Sequence, residues 1–334
     1  MKKLIDRFGR VHTYLRISIT DKCNLNCIYC NPADSALRGD LSGSILSYEE
    51  LSRLLKIFVA DLGITKIRLT GGEPLVRKNV ENFFRMLKEI KDKHPFELGL
   101  TTNGILLKDK IDLLKNSRLD RINISLDTLR KERFIAITGA DNIDAVIKGI
   151  NKAEEIGYNP VKINAVIMKG INDDEIHSFI EFVKDRNLNI RFIEYMPFTS
   201  NSWNEKVYIS YKEIKNIVEE NYSLVEIKNG KHNVAKNFRI EGHSGTVSFI
   251  SSISDHFCDG CNRLRVTASG NLKLCLFSSS NSEIKLKDYL RDDKITDDEI
   301  AELISSSLQQ KELKHPELDE LLTMDKNNML RIGG

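Results

Sequence analysis

Strand-like stretches alternate with amphipathic helices through about the first 220 residues, and no other feature restricts the fold as much. Residues 14–20 alternate apolar Leu15, Ile17 and Ile19 with Arg16 and Ser18, the two-residue period of a strand. Further strands read at 64–70, 97–102, 121–126, 160–168 and 189–195. Ser47 and Glu50 form a capping box that opens a helix carrying Leu51, Leu54, Leu55, Phe58 and Val59 and stopping near Gly63. Helical periodicity returns at 79–93, 108–116, 144–156, 173–186 and 211–220. Strands joined by helical crossovers pair in parallel. Six such units fall short of the eight that close a barrel, so an α/β fold with an open, partial (βα)6 barrel is expected. Beyond it the pattern changes. Residues 222–275 read as short strands with turns at Asn229-Gly230, Glu241-Gly242 and Ser269-Gly270, followed by helices to about residue 322. The expected organisation is a barrel over 1–221 and a C-terminal α+β region over 222–334. No low-complexity linker separates them, so they are expected to share an interface.

The six cysteines fall in two triplets: Cys23, Cys27 and Cys30, then Cys258, Cys261 and Cys275. None lies between residues 31 and 257. Disulfides are one reading, but a large chain with no signal-like N-terminus seldom needs them. Zinc is another, but structural zinc takes four ligands and each triplet offers three. The third is iron–sulfur ligation, in which three thiolates hold three irons of a [4Fe–4S] cube and leave the fourth open to a small molecule.

Chemistry in β/α barrels sits on the loops that follow the strands. The first such loop, 21–31, carries the first triplet. The next carry Gly71-Gly72-Glu73-Pro74, Thr102-Asn103-Gly104, the residues after Ser125-Leu126-Asp127, and Glu194-Tyr195-Met196-Pro197. Glycine backbone beside a cysteine loop can approach a ligand closely. The net charge of +2 excludes a cationic nucleic-acid coat, and no apolar run approaches the roughly 20 residues that span a bilayer. A cytoplasmic, reducing setting is the expectation, with neither nucleic acid nor membrane as partner.

Cys23-Asn24-Leu25-Asn26-Cys27-Ile28-Tyr29-Cys30 followed by Gly71-Gly72-Glu73-Pro74 resembles the radical S-adenosylmethionine superfamily. Along essentially its whole length the chain resembles the GTP 3′,8-cyclases of molybdenum cofactor biosynthesis. The supporting segments are 6–10, 14–21, 192–197, 257–265, 270–277 and the terminal Gly333-Gly334. The stretch Phe198-Thr199-Ser200 departs from a frequent glycine, but no ligand is lost. The resemblance implies two [4Fe–4S] clusters, on Cys23, Cys27 and Cys30 and on Cys258, Cys261 and Cys275. It implies S-adenosylmethionine bound near Tyr29, Gly72, Ser125 and Met196. GTP contacts map to Arg16, Arg68, Thr101, Lys162, Arg191, Arg263 and Arg265. Catalytic roles map to Arg16, Arg263 and Arg265, with the Gly333-Gly334 tail reaching the active site. Also implied are a reductant and a downstream cyclic pyranopterin monophosphate synthase, and a homodimer is compatible with the reading.

The cations support the anionic substrate separately. Arg16, Lys66, Arg68, Lys162 and Arg191 lie on strands that are ordinarily apolar on both faces. They must reach water at the strand ends or meet an anion inside. Arg263 and Arg265, two apart, would share one face beside the second triplet. A competing radical enzyme acting on a peptide would keep the first triplet but have no need of these cations or of Gly333-Gly334. A zinc-binding or iron-sensing protein would have no use for Gly71-Gly72-Glu73-Pro74. His256 reads as a loop residue, Trp203 as packing, and Glu73 as a local cap.

Overall fold

The computed structural model describes residues 2–30, 45–198, 201, 203–228, 230, 234–324 and 329–333. Asn229, Thr199, Ser200 and Gly334, singled out above, lie outside the described residues. The predicted strands form as β1 (Tyr14–Ser18), β2 (Lys66–Thr70), β3 (Glu97–Thr102), β4 (Arg121–Ser125), β5 (Val161–Ile167) and β6 (Leu188–Glu194). The helices are α1 (Tyr48–Lys56), α2 (Val80–Lys93), α3 (Leu107–Asn116), α4 (Lys131–Thr138), α5 (Ile143–Glu155), α6 (Ile176–Val183) and α7 (Tyr211–Glu219). The Ser47–Glu50 capping box is present, with both reciprocal bonds made. α4 escapes the sequence pattern because it is short and buries only Phe134, Ile137 and Thr138.

The C-terminal region adds β7 (Leu224–Ile227), β8 (Lys236–Ile240), β9 (Thr246–Ile250), β10 (Arg263–Val266), β11 (Asn271–Lys273) and β12 (Ile284–Lys285). Helices α8 (Leu286–Leu290), α9 (Asp297–Ser307), α10 (Leu318–Thr323) and α11 (Met329–Ile332) follow. All twelve strands form one sheet in the order β12-β11-β10-β1-β2-β3-β4-β5-β6-β9-β8-β7. β10 pairs parallel to β1, and β9 parallel to β6. The six β/α units thus gain one parallel strand at each end. β9 is reached through α7 and the β7–β8 hairpin, and β10 has no crossover helix, so the β/α alternation did not announce them. Among the described residues the two ends of the sheet do not pair, and the barrel stays open.

The sheet has one apolar and one polar face. On β5, Val161, Ile163, Ala165 and Ile167 are buried, while Lys162, Asn164 and Val166 between them are half-exposed. Leu15, Ile17, Ile67, Leu98, Leu100 and Ile190 are likewise buried in the layer under the helices, which supplies the main hydrophobic core. Parallel strands are ordinarily apolar on both sides. Here the concave face is polar because it bounds a cavity. Among the described residues no helix is long and apolar enough to cross a membrane.

Candidate active site

The strand directions put the two cysteine triplets at opposite ends of the lumen. Cys23, Cys27 and Cys30 follow β1, at the strands' C-terminal ends. Cys258 and Cys261 precede β10, which runs with β1, and Cys275 follows β11, which runs against β10. The second triplet therefore lies at the N-terminal ends. A single cavity of about 460 Å³ is lined by all six.

At the first mouth the cysteine loop is clamped on two sides. Gly72 N–H donates to Thr20 O (2.8 Å) and Glu73 N–H to Lys22 O (2.8 Å). A Cβ on Gly72 would lie 2.4 Å from Lys22 O, so only glycine lets the two backbones meet. On the other side Asn26 N–H reaches Thr138 O (2.8 Å) and Ile28 N–H reaches Ile137 O (3.0 Å), at the end of α4. Glu73 is buried and turned from the cavity. It caps Leu75 N–H and accepts from Thr102 Oγ1 (2.8 Å) and Asn103 N–H (2.6 Å). Burial outweighs these bonds and raises its carboxyl to about 7. Tyr29 donates to Asp127 Oδ2 (2.7 Å), and Asp127 Oδ1 accepts from Val166 N–H (2.8 Å).

The second mouth is assembled from distant segments. Arg10 Nη1 donates to Cys258 O (2.9 Å) and Leu313 O (2.8 Å), and its Nε donates to Asp6 Oδ2 (2.6 Å). Lys273, wholly buried, donates to Ser278 O (2.7 Å) and pairs with Glu283 at 3.2 Å, closing the turn after Cys275. Lys311 bonds Leu274 O and lies 3.4 Å from Arg263 O. His256 and His315 meet edge to face at 5.2 Å beside Cys258.

None of the six cysteines is in a disulfide. Among the described residues no three His, Cys, Asp or Glu side chains form a single-ion site. The donor chemistry fits a thiolate-bound cluster at each mouth. Burial and the neighbouring Cys23 and Asp127 charges push Cys30 up to about 12, and Cys27 rises well above its ordinary value. Such thiols ionise together only against a cationic partner, and iron–sulfur clusters are held by thiolates.

Between the mouths the lumen is cationic. Register places Arg263, Tyr14 and Lys66 in one row across β10, β1 and β2, and Arg265, Arg16, Arg68 and Gly99 in the next. Lys162 and Arg191 complete it from β5 and β6. Eight Lys and Arg residues line the cavity, against the carboxylates Asp127 and Glu194. Both carboxylates are engaged: Asp127 as above, and Glu194 by the N–H groups of Tyr211, Ile253 and Ser254. Burial lowers Lys162 to about 8, helped by Arg191 and Arg68; burial and neighbouring cations bring Arg16 and Arg191 to about 10. Like charges side by side in a sheet destabilise it. A bound polyanion removes that penalty.

The last described residues enter the same space. Ile332 is buried with Phe198, Phe277 and Leu321, the two phenyl rings stacking at 5.8 Å. This anchor delivers Gly333 against Ser18 and Thr70, with its carbonyl accepting from Arg265 Nη1 (2.9 Å).

The cavity brings together Arg16, Tyr29, Arg68, Gly72, Thr101, Ser125, Lys162, Arg191, Met196, Arg263, Arg265 and the six cysteines. Gly333 touches it through Arg265. His256 lines it too, a loop residue as read but one that faces the site. Trp203 packs, donating to Tyr195 O (2.9 Å). Sequence reasoning missed Tyr14, Asn123, Asn164 and Lys311, which also line the cavity. Tyr14, two before Arg16 on one strand face, could have been found by extending the alternation. Lys311, in a loop after a helix, carried no signal.

A Radical SAM superfamily model matches residues 17–183, and a Molybdenum Cofactor Synthesis C model matches residues 188–317. The chain is 45% identical over 332 residues to the mitochondrial GTP 3′,8-cyclase of Arabidopsis thaliana, covering 99% of this chain and 83% of that protein. It is 41% identical over 332 residues to the GTP 3′,8-cyclase of Petrotoga mobilis, covering 99% and 100%. Against molybdenum cofactor biosynthesis protein 1 of Homo sapiens it is 43% identical over 330 residues, but spans only 51% of that protein's length. Among solved structures, Streptococcus suis SuiB superposes with a TM-score of 0.60 at 16% identity, covering 86% of this chain and 68% of that one, a likeness of fold. The chain belongs to the GTP 3′,8-cyclase family of radical S-adenosylmethionine enzymes.

Proposed function

We propose that the chain is a GTP 3′,8-cyclase, a lyase that converts GTP to (8S)-3′,8-cyclo-7,8-dihydroguanosine 5′-triphosphate in the first step of molybdenum cofactor biosynthesis. The observation that carries this reading is the cationic lumen between two three-thiol mouths. A cluster at the first mouth would, when bound, offer an open iron to S-adenosylmethionine and the electron for its cleavage to a 5′-deoxyadenosyl radical, while one at the second would offer an open iron to the purine. Cys23, Cys27 and Cys30 hold the first, and Cys258, Cys261 and Cys275 the second. Tyr29, Gly72, Ser125 and Met196 border S-adenosylmethionine. Arg16, Arg68, Thr101, Lys162, Arg191, Arg263 and Arg265 bind and orient the nucleotide, offsetting the desolvation of its phosphates. Burial of the lumen excludes water from the reacting sugar. Gly333, whose carbonyl accepts from Arg265, and Gly334 take part in catalysis.

The reading extends to a barrel unit over 1–221 and a second-cluster unit over 222–334. It requires a reductant and a downstream cyclic pyranopterin monophosphate synthase. Six unpaired thiols suit a reducing, cytoplasmic compartment. The test is incubation of the anaerobically reconstituted protein, carrying about eight irons per chain, with GTP, S-adenosylmethionine and a strong reductant. 5′-Deoxyadenosine should rise with GTP and not with other nucleotides, together with a cyclised triphosphate product. Background cleavage alone, unmoved by GTP, would reject the assignment.

A further inference from the structure

Tyr14 stands in the row of cations at the second-triplet end of the lumen, and nothing above gives it a task. Its backbone N–H is pinned to Asn262 O at 3.2 Å, and its strand sets it between Arg263 and Lys66. Its hydroxyl accepts from Arg68 Nε at 2.8 Å and is also hydrogen-bonded to Arg16. Lys66 Nζ lies 5.1 Å from the ring centroid and 2.9 Å from Glu97 Oε1. Arg68 is held at two further points. Its Nη1 donates to Leu100 O at 3.1 Å, and its guanidinium lies flat over Gly99, where a Cβ would come within 2.8 Å of Cζ. Among the described residues the hydroxyl's own proton meets no acceptor.

We propose that Tyr14 is a phosphate-recognising residue, whose hydroxyl accepts from Arg16 and Arg68 before the nucleotide binds and donates its proton to a phosphate oxygen of the bound nucleoside triphosphate. The proposal rests on the GTP reading and adds a residue to its phosphate contacts. A hydroxyl suits this place because it can accept from two guanidinium groups while donating to a third partner. Electrostatics agree with the geometry. Burial would raise the phenol, but Arg68, Arg16 and Lys66 outweigh it and bring it down to about 7. Arg191 and Arg265 face it from β6 and β10, and feel its charge in turn. Before the nucleotide binds, the surrounding cations thus favour the phenolate form of Tyr14. When phosphates arrive and match the cations, it recovers its proton and becomes a donor.

The test compares wild type with Tyr14→Phe, which keeps the ring under Lys66, as reconstituted holoenzyme. Binding of GTP, inorganic tripolyphosphate and guanosine is measured by calorimetry at pH 8 in buffers of different ionisation enthalpy. Tyr14→Phe should weaken GTP and tripolyphosphate by roughly tenfold, the scale of one charge-assisted hydrogen bond, and leave guanosine within about twofold. Wild type should take up protons on binding tripolyphosphate, and the variant should take up fewer. Equal affinity of the two proteins for tripolyphosphate, or an equal loss for guanosine, overturns the proposal. If wild type binds tripolyphosphate but not GTP, the substrate reading fails, while the tripolyphosphate comparison still decides the role of Tyr14. Iron content measured on both proteins guards against misfolding. A variant that cannot hold its clusters marks Tyr14 as structural and also overturns the proposal.

Discussion

The two mouths of the lumen carry the same three thiols but are built in different ways. The first draws its cysteines from one loop, 23 to 30, and braces it with Gly72, Glu73 and the end of α4. The second gathers Cys258, Cys261 and Cys275 across a hairpin and fixes them with Lys273 in that hairpin and with Arg10 and Lys311, which are remote in sequence. Their electrostatics differ as well. At the first mouth burial and neighbouring negative charge raise the thiols. At the second, burial likewise raises Cys258, but at Cys261 Arg263 and Lys311 outweigh burial and bring it down to about 7. A loop-borne site can form early from local contacts, whereas a distributed site exists only once the sheet has closed around it.

The largest expected effect separates the mouths directly. Cys27→Ala and Cys261→Ala should each lower iron from about eight to about four per chain. Only Cys27→Ala should abolish 5′-deoxyadenosine formation altogether. Cys261→Ala should keep slow cleavage of S-adenosylmethionine and lose its stimulation by GTP. Iron analysis and product chromatography read both. Loss of both clusters in either variant would mean that the mouths are not independent.

The buried Lys273–Glu283 pair belongs to the second mouth alone. Lys273→Met leaves Glu283 buried without its cation, which costs about 3–5 kcal/mol. Urea unfolding should show that loss, and second-mouth iron should fall before first-mouth iron. Pairing Lys273→Met with Glu283→Leu should recover much of the stability, because burying an ion pair gains little over a well-packed apolar pair. A double variant as weak as the single would show that the ammonium's bond to Ser278 O, not charge balance, holds the turn.

The first mouth and the six-unit barrel were legible in the sequence because both are local: a strand period, a capping box, a cysteine spacing. The lumen cations were legible by the same rule, since Arg16 and Arg68 interrupt apolar strands. What stayed hidden is long-range. β9 returns beside β6 only after α7 and the β7–β8 hairpin, and β10 arrives with no crossover helix, so their place at the two ends of the parallel run could not be read from alternation. The placement of the second triplet at the opposite end follows from that pairing and was equally hidden. Lys311 reaches Leu274 O across a turn of chain that no periodicity marks.

The N-terminal hairpin beneath the second mouth predicts a pH dependence. His12 is buried against Asp6 Oδ2 at 3.0 Å, yet burial outweighs that carboxylate and lowers its pKa to about 4. Between pH 6.5 and 4 the unfolded chain binds a proton at His12 that the native chain refuses. Stability from this group is therefore complete above about pH 6.5 and falls as pH drops toward 4, by about 3 kcal/mol across the window. Asp6 adds a second, more acidic limb. Burial opposes its ionisation, but bonds from His12, Arg10 and the Phe8 and Arg10 N–H groups lower it to about 2. Its contribution is present above about pH 4 and lost as pH falls through 2. The difference in urea midpoint between wild type and His12→Gln, followed from pH 7.5 to 5, isolates the first limb. A difference that stays constant would show that His12 takes up its proton equally in the native and unfolded chains.

The smallest effect comes from two glycines that make room for different neighbours. A methyl on Gly72 meets Lys22 backbone oxygen at 2.4 Å, and that backbone is tied on both sides by hydrogen bonds. Gly72→Ala should therefore distort the first cysteine loop and lower first-mouth iron. A methyl on Gly99 meets only the far end of Arg68. That guanidinium can swing away, at the cost of its bonds to Tyr14 and Leu100 O. Overpacking of this kind costs about 1–3 kcal/mol when nothing yields and less when a side chain does. Gly99→Ala should keep both clusters and the urea midpoint, and raise KM for GTP by roughly three- to tenfold with kcat little changed. If KM stayed at the wild-type value, the fixed pose of Arg68 would have no part in holding the nucleotide. The lumen cations would then act as a diffuse field, and the row set by strand register would be a feature of the sheet alone.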